Sequence, residues 1–403
     1  MIAEKPLAGI RVLDLSRVLA GPFCAMNLAD LGAEVIKVEL PGRGDDARGF
    51  APRIPNSNDS GYFYSVNRGK LSVTVDLRQP AGVAVALDLV RHCDVVLENF
   101  SPGTMERFGL GYPELAAANP RVILCSISGF GQSGPMTSAP AYDIVAQALG
   151  GTMSITGPAG GDPTRCGVSI GDLAAALYGV IAILSALRLR ERTGVGRHLD
   201  VAMLDCQVAL LEDALARYSA TGKVPGPLGS RHPSITPFQQ FRAADGYFVA
   251  GAGNESLWVR FCDAIGTPEL KSDVRFTLNA ERTANHKELE PILNRHFAAC
   301  PRDHWLKLLG EAGVPCAPIA NVAEVASNPH LEARQMILHA EHPTFDGLIV
   351  PGSPLKTAGE AAQPSDAPNT RAPALGEHTE RLLRDIAGYD PEKIAALRSA
   401  GII

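Results

Sequence analysis

The sequence predicts an α/β protein with a mostly parallel sheet and a second, smaller domain, and three observations carry that reading. A strand, a glycine-containing turn, a helix and another strand follow one another between Ile10 and Glu39. Strand and helix signals keep alternating to about residue 126, as they do where helices cross between parallel strands. A helix from Leu173 to about Glu191 is apolar at almost every position to Leu187, which reads as buried on all sides.

The elements follow in order. Strands are predicted at 10–15, 34–39, 71–77, 94–98 and 122–126, and helices at 23–31, 81–91 and 112–118. The apolar helix ends where Arg188, Arg190, Glu191 and Arg192 appear and Gly194 stops the pattern. From about Thr221 the composition changes, with a turn-rich crossing at 226–234. A strand at 246–253 comes next, then helices at 257–264, 283–297 and 302–312, a closing segment at 314–319 and the start of a return at 322–327. A Pro/Ala-rich stretch, Ala358 to Ala374, reads as an extended connection. The expected division is a discontinuous large domain of residues 1–224 and 331–403 and a small α+β domain of residues 225–330.

The chain has 403 residues, more than one hydrophobic core usually organises, and a net charge of -6. That charge gives no reason to expect nucleic acid or an anionic membrane as partner. Its eight cysteines are scattered without metal-ligand spacing, so no metal site is expected. No secretory signal opens the chain, and the apolar run of the long helix is short of the roughly 20 residues that a bilayer requires. A cytoplasmic protein is the expectation. The turn after the first strand, Ser16-Arg17-Val18-Leu19-Ala20-Gly21-Pro22, lacks the G-x-G-x-x-G of dinucleotide-binding sheets, and Gly42-Arg43-Gly44-Asp45-Asp46 lacks the Lys-Ser/Thr of a P-loop.

Gly167-Val168-Ser169-Ile170-Gly171-Asp172 leads into the apolar helix. Asp is a common N-cap, and the helix dipole keeps a carboxylate ionised there. A carboxylate fixed by a buried helix beside a bare glycine backbone is also how an acyl-accepting nucleophile is built. Gly171 is expected to open room for a ligand and to offer, with the later glycine run near 251–253, backbone N–H donors to a thioester oxygen.

Val12-Leu13-Asp14, Ala20-Gly21-Pro22, Gly32 to Glu39, Glu98 to Gly103, Asn119 to Ile123, Ser128 to Gly131, Gly171-Asp172 and Leu375 to Thr379, in this order, resemble the family III CoA-transferases. This is the CaiB/BaiF family of formyl-CoA and carnitine CoA-transferases. Gly229 to Ile235 is similar to the succinyl-CoA-dependent transferases of small dicarboxylates such as glutarate, malate or itaconate.

The resemblance implies a Rossmann-like large domain built from both chain ends plus a small α+β domain, in an interlocked homodimer. It implies CoA transfer from an acyl-CoA, with succinyl-CoA as donor, to a small carboxylic acid through an aspartyl anhydride and an aspartyl-CoA thioester on Asp172. A coenzyme A thioester is then a substrate, and no tightly bound cofactor is called for. The family's CoA contacts carry over to Arg17, Val18, Asp76, Leu77, Arg78, Asn99, Phe100, Arg107, Ala141, Tyr142 and Asp143. Leu40 stands where the family often has arginine, and Leu19 where formyl-CoA transferases have glutamine. Arg231, His232, Arg165 and Arg48 are the candidate cations for the acceptor's far carboxylate. The competing reading is an α-methylacyl-CoA racemase, which needs a second acid/base. Racemases carry histidine where Tyr142 stands, and a phenol is a poor base at neutral pH.

Overall fold

A computed structural model describes residues 5–356 and 370–403. Most of the Pro/Ala-rich connection lies outside the described residues. Contacts divide the chain into two units, one of residues 1–152, 166–215 and 328–403, the other of residues 153–165 and 216–327. Segment 153–165 groups with the second unit rather than the first. It is tied there by the Gly229 amide on the Gly157 carbonyl (2.9 Å) and the Gly160 amide on the Pro227 carbonyl (3.4 Å).

The first unit begins with β1 (Arg11–Asp14), α1 (Ala20–Asp30), β2 (Glu34–Glu39), α2 (Gly61–Asn67), β3 (Leu71–Thr74), α3 (Pro80–Val90) and β4 (Val95–Glu98). It continues through α4 (Thr104–Phe108), α5 (Tyr112–Ala118), β5 (Ile123–Ser128) and α6 (Asp143–Leu149), after which the short α7 (Thr152–Ile155) passes into the segment that groups with the second unit. Helix α8 (Ile170–Thr193), strand β6 (Arg197–Ala202) and α9 (Met203–Ala209) complete this part. The six strands form one parallel sheet in the order β3-β2-β1-β4-β5-β6.

Alternation along each strand builds a core on either face. Val12, Val35, Val95, Leu97, Ile123 and Cys125 pack with α1 and α8. Leu13, Ile36, Val38, Val96 and Leu124 pack with α3 and the C-terminal helices. The chain end returns to this unit, where the Asp76 amide donates to the Ile402 carbonyl (2.8 Å) and the His378 amide to the Ser72 carbonyl (2.9 Å).

Strand β6 was not predicted, because Arg197-His198-Leu199-Asp200 shows no apolar alternation; it is an edge strand whose first residues are largely exposed. Helix α8 is longer than expected and only half of it is buried. Ala174, Ala175, Gly179 and Ile183 face the sheet, while Leu177, Tyr178 and Ile181 are exposed.

Helix α10 (Ala214–Thr221) leads into the second unit, which has a three-stranded antiparallel sheet of β7 (Phe238–Arg242), β8 (Tyr247–Gly251) and β9 (Cys316–Pro318). Its helices are α11 (Glu255–Ala264), α12 (Asn279–Ala284), α13 (His286–Phe297), α14 (Arg302–Glu311) and α15 (Val322–Ala326). Phe241, Phe248, Trp258, Phe261, Phe297 and Trp305 fill its core. The helix expected at 283–297 is two, broken at Asn285. Back in the first unit come α16 (Pro329–Ala333), the hairpin β10 (Ile337–His339) and β11 (Ile349–Pro351), then α17 (Thr379–Asp385) and α18 (Pro391–Ser399).

Gly82 shows how tightly α3 meets the loop after β3, since a Cβ there would lie 2.1 Å from the Asp76 carbonyl oxygen. Gly82→Ala is expected to destabilise the protein by roughly 1–3 kcal/mol. Calorimetry would show this as a lower Tm, and an unchanged Tm would contradict the packing.

Candidate active site

The carboxyl edge of the parallel sheet opens into two adjoining cavities that share Arg17, Asp46 and Phe100. One is walled by the ends of β1, β2 and β3 through Ser16, Val38, Leu40, Asp76, Leu77 and Arg78, with Phe108 opposite. The other is walled by Val18, Leu19, Ala20, Asn99, Ser128, Gly129, Ala141, Tyr142, Asp143, Asp172 and Met203. They meet at the step from β1 to β4, where strand order reverses and parallel sheets bind their ligands.

Asp172 lies in the first turn of α8, half-buried. It is not the N-cap. That position is Ser169, which makes no side-chain cap, and the helix is capped instead from α6: the Asp143 carboxylate accepts the Gly171 amide at 2.8 Å. Gln147 donates to the other Asp143 oxygen (2.8 Å), and its own carbonyl accepts the Cys166 amide (3.0 Å). These bonds fix the approach to α8, so Asp143 acts on the helix end rather than only on a ligand.

Gly171 has a different job from the one expected. A Cβ there would lie 3.0 Å from Asp143 Oδ1 and 3.4 Å from the Ala146 Cβ, so the glycine admits α6 rather than a ligand. Its amide is already engaged by Asp143. In the later glycine run, the amides of Gly251 and Ala252 are bonded to the carbonyls of Pro315 and Pro237.

Other candidates are placed as follows. Asn99 grips Arg17 at two points, accepting its amide (2.7 Å) and donating to its carbonyl (2.8 Å). The Arg17 guanidinium lies over the Phe100 ring, 5.4 Å from its centroid. Asp76 is bound by its own neighbour: Arg78 pairs with it at 2.8 and 2.9 Å and holds its carboxyl well below the usual range. Asp76 thus orients Arg78. Arg107 does not line either cavity; it is exposed on α4 and donates to Thr104 (2.6 Å).

Among the acceptor-site cations, Arg48 is taken up by a bidentate pair with Glu39 (2.7 and 2.7 Å), a bond to the Pro373 carbonyl (3.0 Å) and stacking over Phe63. It does not line either cavity. Arg165, Arg231 and His232 belong to the second unit. There Arg231 borders a cavity with Gln239, His286, Lys287 and Glu290. His232 accepts the Ser234 amide at Nδ1 (3.1 Å), the tautomer that leaves a proton on Nε2.

Tyr62 was not anticipated. Burial pushes its phenol up to about 12, and the charges of Asp172, Asp45 and Asp143 push the same way, so it stays a hydrogen-bond donor near the carboxylate. No motif pointed to it, because α2 comes from a stretch without apolar periodicity.

Residues 7–379 match the family described as CoA-transferase family III. Among curated proteins the chain is 42% identical to the succinyl-CoA:glutarate CoA-transferase of Mus musculus, over 99% of this chain and 90% of that protein. It is 44% identical to the acetyl-CoA:oxalate CoA-transferase of Acetobacter aceti, over 95% of this chain and 96% of that one. Among solved structures it is similar to a CaiB/BaiF family protein from Brucella suis, with a TM-score of 0.83, 38% identity and coverage of 95% and 100%.

Glu98, at the end of β4, is buried beside Ser126 and accepts the Phe100 amide (2.7 Å), which shapes the Asn99-Phe100 wall. Burial raises its carboxyl to about 7 despite those hydrogen bonds. A folded-state value above the unfolded 4.5 means that the native protein binds the extra proton. The stability from this site is present below the unfolded value, falls as pH rises from about 4.5 to 7, and amounts to about 3 kcal/mol. Glu98→Gln, which keeps the acceptor without the charge, is expected to flatten that slope in denaturant titrations and to be more stable than wild type at pH 8. Parallel pH profiles for the two proteins would contradict the assignment.

Proposed function

The chain belongs to CoA-transferase family III, and from that premise we propose that it moves CoA from succinyl-CoA to a small dicarboxylic acid by a covalent relay on Asp172. The observation that carries the reading is the placement of Asp172. It stands at the head of α8, on the wall of the cavity that Val18, Asn99 and Phe100 also line. The succinyl donor and the dicarboxylate acceptor are taken from the names of the relatives and from the resemblance of Gly229 to Ile235.

In this reading the Asp172 carboxylate attacks the thioester carbonyl carbon, the C–S bond breaks and CoA leaves as thiolate, giving a mixed anhydride. The thiolate attacks the Asp172 carbonyl of that anhydride and releases the donor as its free carboxylate, which leaves an aspartyl-CoA thioester. The acceptor carboxylate attacks this thioester and expels CoA thiolate again. Attack of the thiolate on the acceptor's carbonyl forms the product and restores the Asp172 carboxylate. The N-terminal dipole of α8 favours each return of negative charge to that oxygen. No redox step and no resident cofactor enters.

We further propose that the working form is an interlocked homodimer in which each chain contributes a large and a small domain. The exposed apolar side chains of α8, with Val208 on α9 and Leu210 just after it, support a partner on that face.

Mass spectrometry after incubation with succinyl-CoA is expected to show a CoA-sized adduct on Asp172 in wild type and none in Asp172→Ala. The variant should lose transfer by roughly three orders of magnitude or more. A panel of glutarate, itaconate, malate and oxalate names the acceptor. Transfer to oxalate alone would overturn the longer dicarboxylates, and α-proton exchange on a branched acyl-CoA without an adduct would move the protein to the racemases.

A further inference from the structure

The turn that joins β1 to α1 is held in a conformation its residues do not favour. Val18, a β-branched residue, has φ +67°. In that region a non-glycine residue is strained, because its Cβ crowds the backbone. Strain of this kind persists only where the surroundings over-determine it.

Here they do. Asp14 accepts the Ser16 amide (3.0 Å), Asn99 accepts the Arg17 amide (2.7 Å), and Asp45 takes the Val18 amide on its two oxygens (3.1 and 3.2 Å). On the carbonyl side, Lys37 donates to Ser16 (2.8 Å) and Asn99 to Arg17 (2.8 Å). Asp45 and Lys37 pair at 2.9 Å with side chains 1% and 0% exposed. Asp45 is aimed in turn by its own amide on Glu39 (3.1 Å) and by the Ala47 amide on its carboxylate (2.9 Å). Arg17 and Val18 form part of the wall that also carries Asp172.

We propose that Asp45, backed by Lys37, is a positioning residue for acyl-CoA, clamping the Val18 amide so that the β1–α1 turn is already in its binding shape before the thioester arrives. This rests on the transferase reading. The clamp does for this turn what glycine does where a dinucleotide-binding sheet has its fingerprint: it makes left-handed backbone available next to the ligand. Here a buried acid enforces that shape on valine.

Two measurements test it. In ligand-free wild type, hydrogen exchange of a peptide spanning 15–19 is expected to stay protected for minutes or longer, and exchange within seconds overturns a preformed turn. In steady-state kinetics, Asp45→Asn is expected to raise KM for the acyl-CoA by about tenfold, the scale of one charge-assisted hydrogen bond, with kcat within about threefold. Adding Val18→Gly should bring KM back toward wild type, since glycine takes the left-handed conformation without a clamp. A loss of kcat and folded fraction together with an unchanged KM, or no recovery from the glycine, would reduce Asp45 to fold stability and overturn the proposal. Should Asp45→Asn not accumulate, Asp45→Asn with Lys37→Met, which removes both buried charges, gives the same readout. Wild type that turns over no acyl-CoA would sink the transferase reading instead, while the exchange measurement, which uses no substrate, still decides the clamp.

Discussion

Two ion pairs with almost no access to water lie beneath the β1–α1 turn, and the carboxyl edge of the sheet depends on them. Asp14 meets Lys70 at 2.8 Å and Asp45 meets Lys37 at 2.9 Å. Burying a charge is unfavourable by several kcal/mol, and the pairing offsets it only when the remaining donors and acceptors are also satisfied. Here they are: Lys70 donates to the Pro22 carbonyl and to Asn67, and Lys37 to the Ser16 carbonyl. Hydrophobic residues of the same volume would stabilise a core as well or better. What the charges add is direction, since each ammonium has to meet a particular backbone oxygen and each carboxylate a particular amide.

The same logic operates across the cavity at the head of α8. A helix N-terminus with no side-chain cap of its own attracts any anion, and two acids compete for it. Asp143, from α6, wins the Gly171 amide, while Asp172, one position later, remains on the cavity wall. One carboxylate fixes the helix and the other is presented by it. Gly171 makes the division possible by letting α6 come close enough for the first acid to reach the amide.

Much of this was legible in the sequence, for reasons that differ from residue to residue. The strands of the parallel sheet from β1 to β5 show in the pattern because each buries both faces, and α8 shows because it stops at Gly194, a left-handed C-cap with φ +75°. The place of Asp172 in the first turn of α8 is legible because a carboxylate at the start of an apolar helix is visible in one dimension. Gly171 was found for the wrong reason, since what a glycine makes room for depends on what packs against it. Asp76, Asp143 and Arg48 are expected as ligand contacts; the structure adds protein partners in Arg78, Gly171 and Glu39 and keeps Asp76 and Asp143 on the cavity walls. An acid or an arginine looks the same in sequence whether it binds a ligand or a neighbour. Asp45 sits inside a glycine-rich stretch that in sequence shows only the lack of a phosphate-loop signature. Its partner, Lys37, lies in a strand where a charge looks misplaced until the turn above it is built.

Helix α8 was expected to be buried on all sides, and the single chain covers one. The covered side is made of small residues: a Cβ on Gly179 would lie 3.2 Å from Cys24 Sγ and from Ile127 Cδ1, so the helix sits hard against α1 and the sheet. The other side carries Leu177, Tyr178 and Ile181, with Ile181 58% exposed. Fully burying side chains of this size is worth roughly 1.5–3 kcal/mol each, so water is an unfavourable neighbour for that face. A helix that is apolar all round is the signature of an element with packing on every side. In the proposed homodimer the second copy supplies the missing side. Because Asp172 stands at the head of this helix, covering the face also removes the freedom of α8 to shift against the sheet. The proposed nucleophile is then fixed by the sheet and α6 within its own chain and by the proposed partner along the helix, so that in this reading one element ties catalysis to assembly.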